Sequence, residues 1–173
     1  REKAEGVVMS ETRLVLLPGM DGTGILFEPL VEALPIGIKP IVVPYPTEIP
    51  MSYEQLLPIV IESLPKHAPF ILLGESFSGP LAIMAASQNQ SNLKALILCA
   101  TFISIPIPLL PNLSRYVTFT PFFYLSRYFI LAKALIAGYG SPSMMTLLRK
   151  AHGTVSPRVM AARARAILGV NVG

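Results

Sequence analysis

Short apolar blocks alternate with stretches of helical periodicity through the first hundred residues. Leu14-Val15-Leu16-Leu17, Ile41-Val42-Val43, Phe70-Ile71-Leu72-Leu73 and Ala95-Leu96-Ile97-Leu98 are apolar at successive positions. Runs without a polar alternate mark strands buried on both faces. Strands are expected at 13–17, 40–44, 69–74 and 94–100, and helices at 24–34, 52–64 and 77–88. Ser52-x-x-Gln55 has the form of a capping box at the start of the second helix, although Pro58 weakens its middle. Strand–helix alternation implies an α/β fold: a parallel sheet with helices on both faces. After Ala100 the alternation stops. Residues 101–117 read as loop, with Pro106, Pro108 and Pro111, and three helical stretches follow. Each opens on a hydroxyl residue and then proline, at Thr120-Pro121, Ser141-Pro142 and Ser156-Pro157, the N-cap and first-turn pairing.

Two of the strand-to-helix turns carry chemistry. Gly74-Glu75-Ser76-Phe77-Ser78-Gly79 places a serine at the apex of a tight turn between strand and helix. A nucleophile elbow has that context, with small residues flanking a strained serine. Gly74 and Gly79 meet the requirement, and Ser78 stands where the pattern usually has glycine. Taken alone, the hexapeptide is equally readable as an ordinary turn that contains serines. The earlier turn, Pro18-Gly19-Met20-Asp21-Gly22-Thr23-Gly24, leaves backbone N–H groups free to meet an anion. Acyl transfer needs two such donors where the oxyanion develops. The N–H groups of Met20 and Phe77 are the candidates, with Gly19 allowing the close approach. The alternatives are a plain turn or a phosphate cradle. The loop lacks the Lys-Ser/Thr ending of a Walker loop, and its glycines do not fit G-x-G-x-x-G.

With both motifs in this order and setting, the chain resembles the α/β-hydrolase superfamily, and in particular compact bacterial members carrying L-P-G-x-D-G-T-G and G-E-S-F-S-G. The likeness covers residues 12–105 well and the remainder loosely. It implies a hydrolase core at 1–105 and a helical cap at 106–173. It also implies Ser76 as nucleophile, with Met20 and Phe77 forming the oxyanion hole. By the same likeness the substrate is a hydrophobic carboxylic ester or thioester, cleaved through an acyl-serine without cofactor or metal. The aromatics between Phe119 and Phe129, with Met144 and Met145, would line the acyl pocket. The two elbow loops should emerge side by side. Strand 13–17 is therefore expected between 40–44 and 69–74, with 94–100 outside 69–74.

Composition fits such a domain: the 173 residues are 52% hydrophobic and only 14% charged. The lone cysteine, Cys99, reads as core. No signal-peptide pattern opens the chain, which suggests a cytoplasmic place, and Arg127 and Lys133 break the most apolar late stretch. All ten acidic residues lie at or before Glu75, whereas nine of the fourteen basic ones follow it. Arg158, Arg163 and Arg165 are read as a solvated basic face, with an anionic substrate or membrane surface as the rival. No nucleic-acid reading motif accompanies them.

The same distribution removes the expected triad acid, because the order Ser, then Asp or Glu, then His finds no carboxylate after Ser76. His67 precedes the elbow strand and belongs on the order of 20 Å from Ser76, at the other end of the sheet. His152, in a late helix, is the one candidate base. The chain therefore reads as a hydrolase lacking its last third, weak or inactive by itself. The alternatives are an acyltransferase and a non-catalytic form that binds a hydrophobic ligand or a protein. Strand 94–100 would then be an open edge, through which, or through the cap, a homodimer is expected.

Overall fold

The computed structural model describes residues 11–88, 90–104, 141–170 and 172. Four strands form one parallel sheet: β1 (Thr12–Leu17), β2 (Ile38–Val42), β3 (Phe70–Glu75) and β4 (Leu93–Cys99), in the order β2-β1-β3-β4. This is the expected order. The helices are α1 (Glu28–Glu32), entered through a 3-10 turn at Ile25–Phe27, α2 (Tyr53–Ser63), α3 (Gly79–Ala86), α4 (Pro142–Thr154) and α5 (Pro157–Gly169). The first and third expected helices each begin as a 3-10 turn, at Ile25–Phe27 and Ser76–Ser78. Thr120-Pro121 and the aromatics from Phe119 to Phe129 lie outside the described residues.

The sheet is filled from both faces, as its unalternating strands require. Val15, Leu17, Phe70 and Leu72 face α2 and α3, packing with Leu56, Val60, Leu81 and Ala85. Leu14 and Leu16 point the other way, onto Phe27, Val31 and Leu34. Period-two alternation of side chains distributes consecutive apolar residues between these two layers. The capping box of α2 is complete: Gln55 N–H donates to Ser52 Oγ while Ser52 N–H donates to Gln55 Oε1. Pro58 is accommodated within that helix. Ser141 and Ser156 cap α4 and α5 through the N–H groups of Met144 and Val159.

The late helices sit on two parts of the core. α4 lies against the 3-10 turn at 25–27, with Lys150 3.3 Å from Glu28. α5 sends Ala166 and Ile167 into the α2/α3 layer, while Val159 and Met160 pack on Met20. Among the described residues no helix is long and apolar enough to cross a membrane.

β4 departs from the rest of the sheet. Leu96, Ile97 and Leu98 are 36%, 42% and 42% exposed, and Cys99 is exposed rather than in the core. Exposure of this run is what an open edge at 94–100 implies, and the reading of Cys99 as core is corrected because β4 is the terminal strand among the described residues. Its apolar character is the feature on which the expected association rests. β4 also carries an irregularity: Phe70 pairs with Leu93 and Ile71 with Ala95, so Lys94 is an extra residue in the ladder. Leu72→Ala, at a fully buried position between the layers, should lower stability by about 2–4 kcal/mol. Ile97→Ala should change it by less than about 1 kcal/mol, and denaturant melts of the two variants check both.

Candidate active site

Ser76 sits immediately beyond β3 with a left-handed backbone, φ 50°. A serine in that conformation is strained by about 1–3 kcal/mol and needs surrounding structure to hold it. Space is tight on both sides. A Cβ on Gly74 would come within 2.7 Å of Ala82 Cβ and of the Ser78 carbonyl, and one on Gly79 would overlap Thr101.

A second left-handed residue supplies part of the restraint. Ala100, with φ 46°, turns the chain after β4 so that Thr101 Oγ1 donates to the Ser76 carbonyl. In a trans peptide the C=O and the following N–H point in opposite directions. Fixing the Ser76 carbonyl therefore aims the Phe77 N–H. Being in the first turn of a helix, that N–H has no intrahelical acceptor. On the other side of Phe77, Tyr53 donates to the Phe77 carbonyl at 2.8 Å and its ring stacks on the Phe77 ring.

The facing loop is held residue by residue. Every carbonyl from Pro18 to Gly22 accepts a hydrogen bond, from Ser78 Oγ, the Gly22 N–H, Arg163, Arg163 again and the Tyr45 N–H in turn. With the carbonyls committed, the Met20 and Asp21 N–H groups face elsewhere and donate to no protein acceptor among the described residues. Ser78 is thus more than a tolerated substitute for glycine. It is fully buried, and Tyr45 meets it at 2.6 Å. Burial pushes the Tyr45 phenol well above its ordinary range, so it stays protonated and donates to Ser78 Oγ, which donates to Pro18. The elbow and the loop are tied directly by this relay.

Two charged side chains flank the loop. Glu75, the residue before Ser76, accepts from the Gly19 N–H, and a Cβ on Gly19 would overlap its carboxylate. Burial, and then the neighbouring Asp21 charge, push the Glu75 carboxyl up to about 7 against the Gly19 bond. Asp21 turns its own carboxylate to the Thr23 N–H and hydroxyl at 2.8 and 2.6 Å. On the opposite side Arg163 of α5, only 2% exposed, donates to the Met20 carbonyl at 2.9 Å, to the Asp21 carbonyl at 2.7 Å and to the Pro46 carbonyl at 2.9 Å. Its guanidinium also lies over the rings of Tyr45 and Phe77. Gly22, at φ 68°, admits it: a Cβ there would be 2.4 Å from Nη1.

The reading of Arg163 as part of a solvated basic face is therefore corrected, and it is no candidate for an anionic substrate or a membrane. Only Arg158 and Arg165 of that trio are exposed. The signal lay in the spacing of α5: position 163 falls on the apolar stripe of Val159, Met160, Ala166 and Ile167. An arginine inside such a stripe faces the core with it, where it needs partners for its N–H groups. His152 lies in the last turn of α4, its Nδ1 donating to the Leu148 carbonyl at 2.9 Å. It hydrogen-bonds none of the elbow residues. His67 is exposed, ahead of β3. Met20, Phe77, Gly19, Gly74 and Gly79 surround the elbow and loop, while His152 has no part in that network.

No family model matches the chain. In sequence it is 36% identical over 110 residues to phytyl ester synthase 1, chloroplastic, from Arabidopsis thaliana. That match covers 58% of this chain and 16% of the relative, so the chain spans a small part of that protein's length. In structure it is similar to MenH from S. aureus, with a TM-score of 0.74 at 15% identity over 94% of this chain and 69% of the other. A lipase-esterase related protein from Clostridium acetobutylicum matches with a TM-score of 0.70 at 16% identity, over 94% and 68%.

Two outcomes are expected. Ser78→Ala should cost about 1–3 kcal/mol, because it leaves the Tyr45 hydroxyl and the Pro18 carbonyl buried without partners. Glu75, raised in the folded state, favours folding while protonated. That contribution is full below about pH 4.5 and is lost as pH rises through 7. Glu75→Gln keeps an acceptor for Gly19 and should remove this slope. At pH 8 it should be the more stable protein by about 1–2 kcal/mol, after allowance for partial solvation. Thermal melts from pH 5 to 8 measure it.

Proposed function

We propose that this chain, which carries the α/β-hydrolase fold, is the nucleophile-bearing part of a serine enzyme acting on hydrophobic carboxylic or thio-esters. Ser76 attacks the carbonyl carbon, and the Met20 and Phe77 N–H groups receive the oxyanion. The observation that carries the reading is the left-handed Ser76 beside a loop whose carbonyls from Pro18 to Gly22 are all tied away from their N–H groups. That arrangement costs strain and order, and donors fixed in advance are what stabilise charge developing in a transition state. Residues 106–173 form the cap in this reading.

General-base catalysis is the part this chain supplies least well. No carboxylate follows Ser76 in the sequence, and His152 is engaged with its own helix. A serine hydroxyl without a base is a poor nucleophile at neutral pH, whereas oxyanion donors alone retain some catalysis. A fluorophosphonate, whose reactive phosphorus needs less activation, should label the chain once, slowly, and Ser76→Ala should abolish the label in intact-mass spectra. Turnover of short activated esters should be feeble. Labelling that persists in Ser76→Ala would defeat the assignment.

A second reading, acyl transfer to an alcohol, is favoured by the named ester synthase among the relatives. Ester formation requires the acyl-serine to meet an alcohol in preference to water. The two readings separate by partition. With an activated acyl donor and a long-chain alcohol, a transferase gives ester product and a hydrolase gives free acid.

A further inference from the structure

Arg163 is a buried cation whose acceptors are three backbone carbonyls. The ion pairs among the described residues, Lys39–Glu11 and Lys150–Glu28, are both at the surface and involve other side chains. Asp21, the nearest acid of the loop, directs its carboxylate to Thr23 instead. Taking a guanidinium out of water costs several kcal/mol, and neutral acceptors return less of that than a carboxylate does. A hydrophobic residue on the apolar stripe of α5 would hold the helix to the core without that penalty. What the guanidinium adds is geometry. Its planar fork reaches two chain segments at once: Nη1 holds consecutive carbonyls of the loop, and Nη2 holds Pro46 beyond β2.

The peptides it holds are those on the C-terminal side of the Met20 N–H. The Gly19 carbonyl, on the other side, is held by the Gly22 N–H within the same turn. Were Arg163 to leave, the Met20 and Asp21 carbonyls would lose the only hydrogen bonds from outside the loop that the described residues give them. Gly22, already at positive φ, gives the turn freedom to flip. α5 itself is anchored to the neighbouring segment by the Ser156 N–H on the Thr47 carbonyl at 2.9 Å. Its seat and the loop's shape are therefore one mechanical unit.

We infer that Arg163 is a positioning residue that holds the Met20–Gly22 turn in its acylation-ready shape from α5, so that the seating of α5 governs the reactivity of Ser76. The inference rests on the reading of that turn as the oxyanion loop. Two measurements on the full chain test it: amide exchange of peptides spanning 18–24 by mass spectrometry, and the rate of fluorophosphonate labelling. Arg163→Lys keeps the charge but cannot fork. It should speed exchange in 18–24 while leaving β1 and β3 protected, and slow labelling by about 10–100-fold. In Arg163→Ala, millimolar guanidinium, far below denaturing concentrations, should restore part of the labelling rate where equimolar sodium does not. A purely structural staple would lower the melting temperature without this rescue. Unchanged loop exchange in Arg163→Lys would overturn the inference, as would an unchanged labelling rate despite faster exchange. If the unsubstituted chain takes no label, the acyl-serine reading fails, and the exchange comparison decides the role of Arg163 by itself.

Discussion

A guanidinium buried against three carbonyls organises the loops at the carboxyl ends of β1 and β2. Arg163 joins α5 to the loop after β1 and to the segment after β2, two connections that the Tyr45 N–H also links through the Gly22 carbonyl. Each bond from a charged donor contributes about 1.5–3 kcal/mol, but the larger effect is on direction. With carbonyls held on one side, the N–H groups of the same peptides are turned to the other. A loop of glycines, flexible by composition, becomes a rigid array of donors because its acceptors are occupied.

The elbow is treated the same way. Thr101 holds the carbonyl of Ser76 and Tyr53 that of Phe77, while Ser78 reaches across to Pro18. Strain at Ser76 is tolerated because four segments restrain the elbow: the turn after β4 through Thr101, α2 through Tyr53, the post-β2 segment through Tyr45, and the loop itself. Glu75 and Asp21 add two carboxyls at close quarters. Burial first, and the Asp21 charge second, make Glu75 an acid near neutrality one residue before Ser76.

The fold was legible because each strand is short, built on an apolar block and separated from the next by turns rich in glycine and proline, so period and punctuation agree. Strand order followed from asking two loops to share one edge. The capping signals at Ser52, Ser141 and Ser156 were equally direct, since each is a local bond between neighbours in the chain. What stayed hidden depends on long-range pairing. Ser78 looked like a tolerated small residue, and only its meeting with Tyr45, 33 positions away, gives it a role. Arg163 was grouped with exposed arginines because net charge is a property of segments while burial belongs to single positions. Cys99 misled for the converse reason. Apolar composition says that a strand wants cover, and it does not say whether a neighbouring strand supplies it.

The extra residue at Lys94 has a bearing on the elbow some 20 positions earlier in the chain. Because β4 takes one residue more than β3 between Phe70/Leu93 and Ile71/Ala95, Glu75 comes into step with Cys99. Ala100 then makes its left-handed turn and delivers Thr101 to the Ser76 carbonyl. A regular ladder continued from Phe70/Leu93 would bring each β4 residue one place out of phase, exchanging the faces of its side chains and leaving Ala100 where the threonine hydroxyl is needed. The bulge at the start of β4 thus acts as a spacer that times the chain's arrival at Ser76, a mismatch at one end of the sheet that becomes alignment at the other.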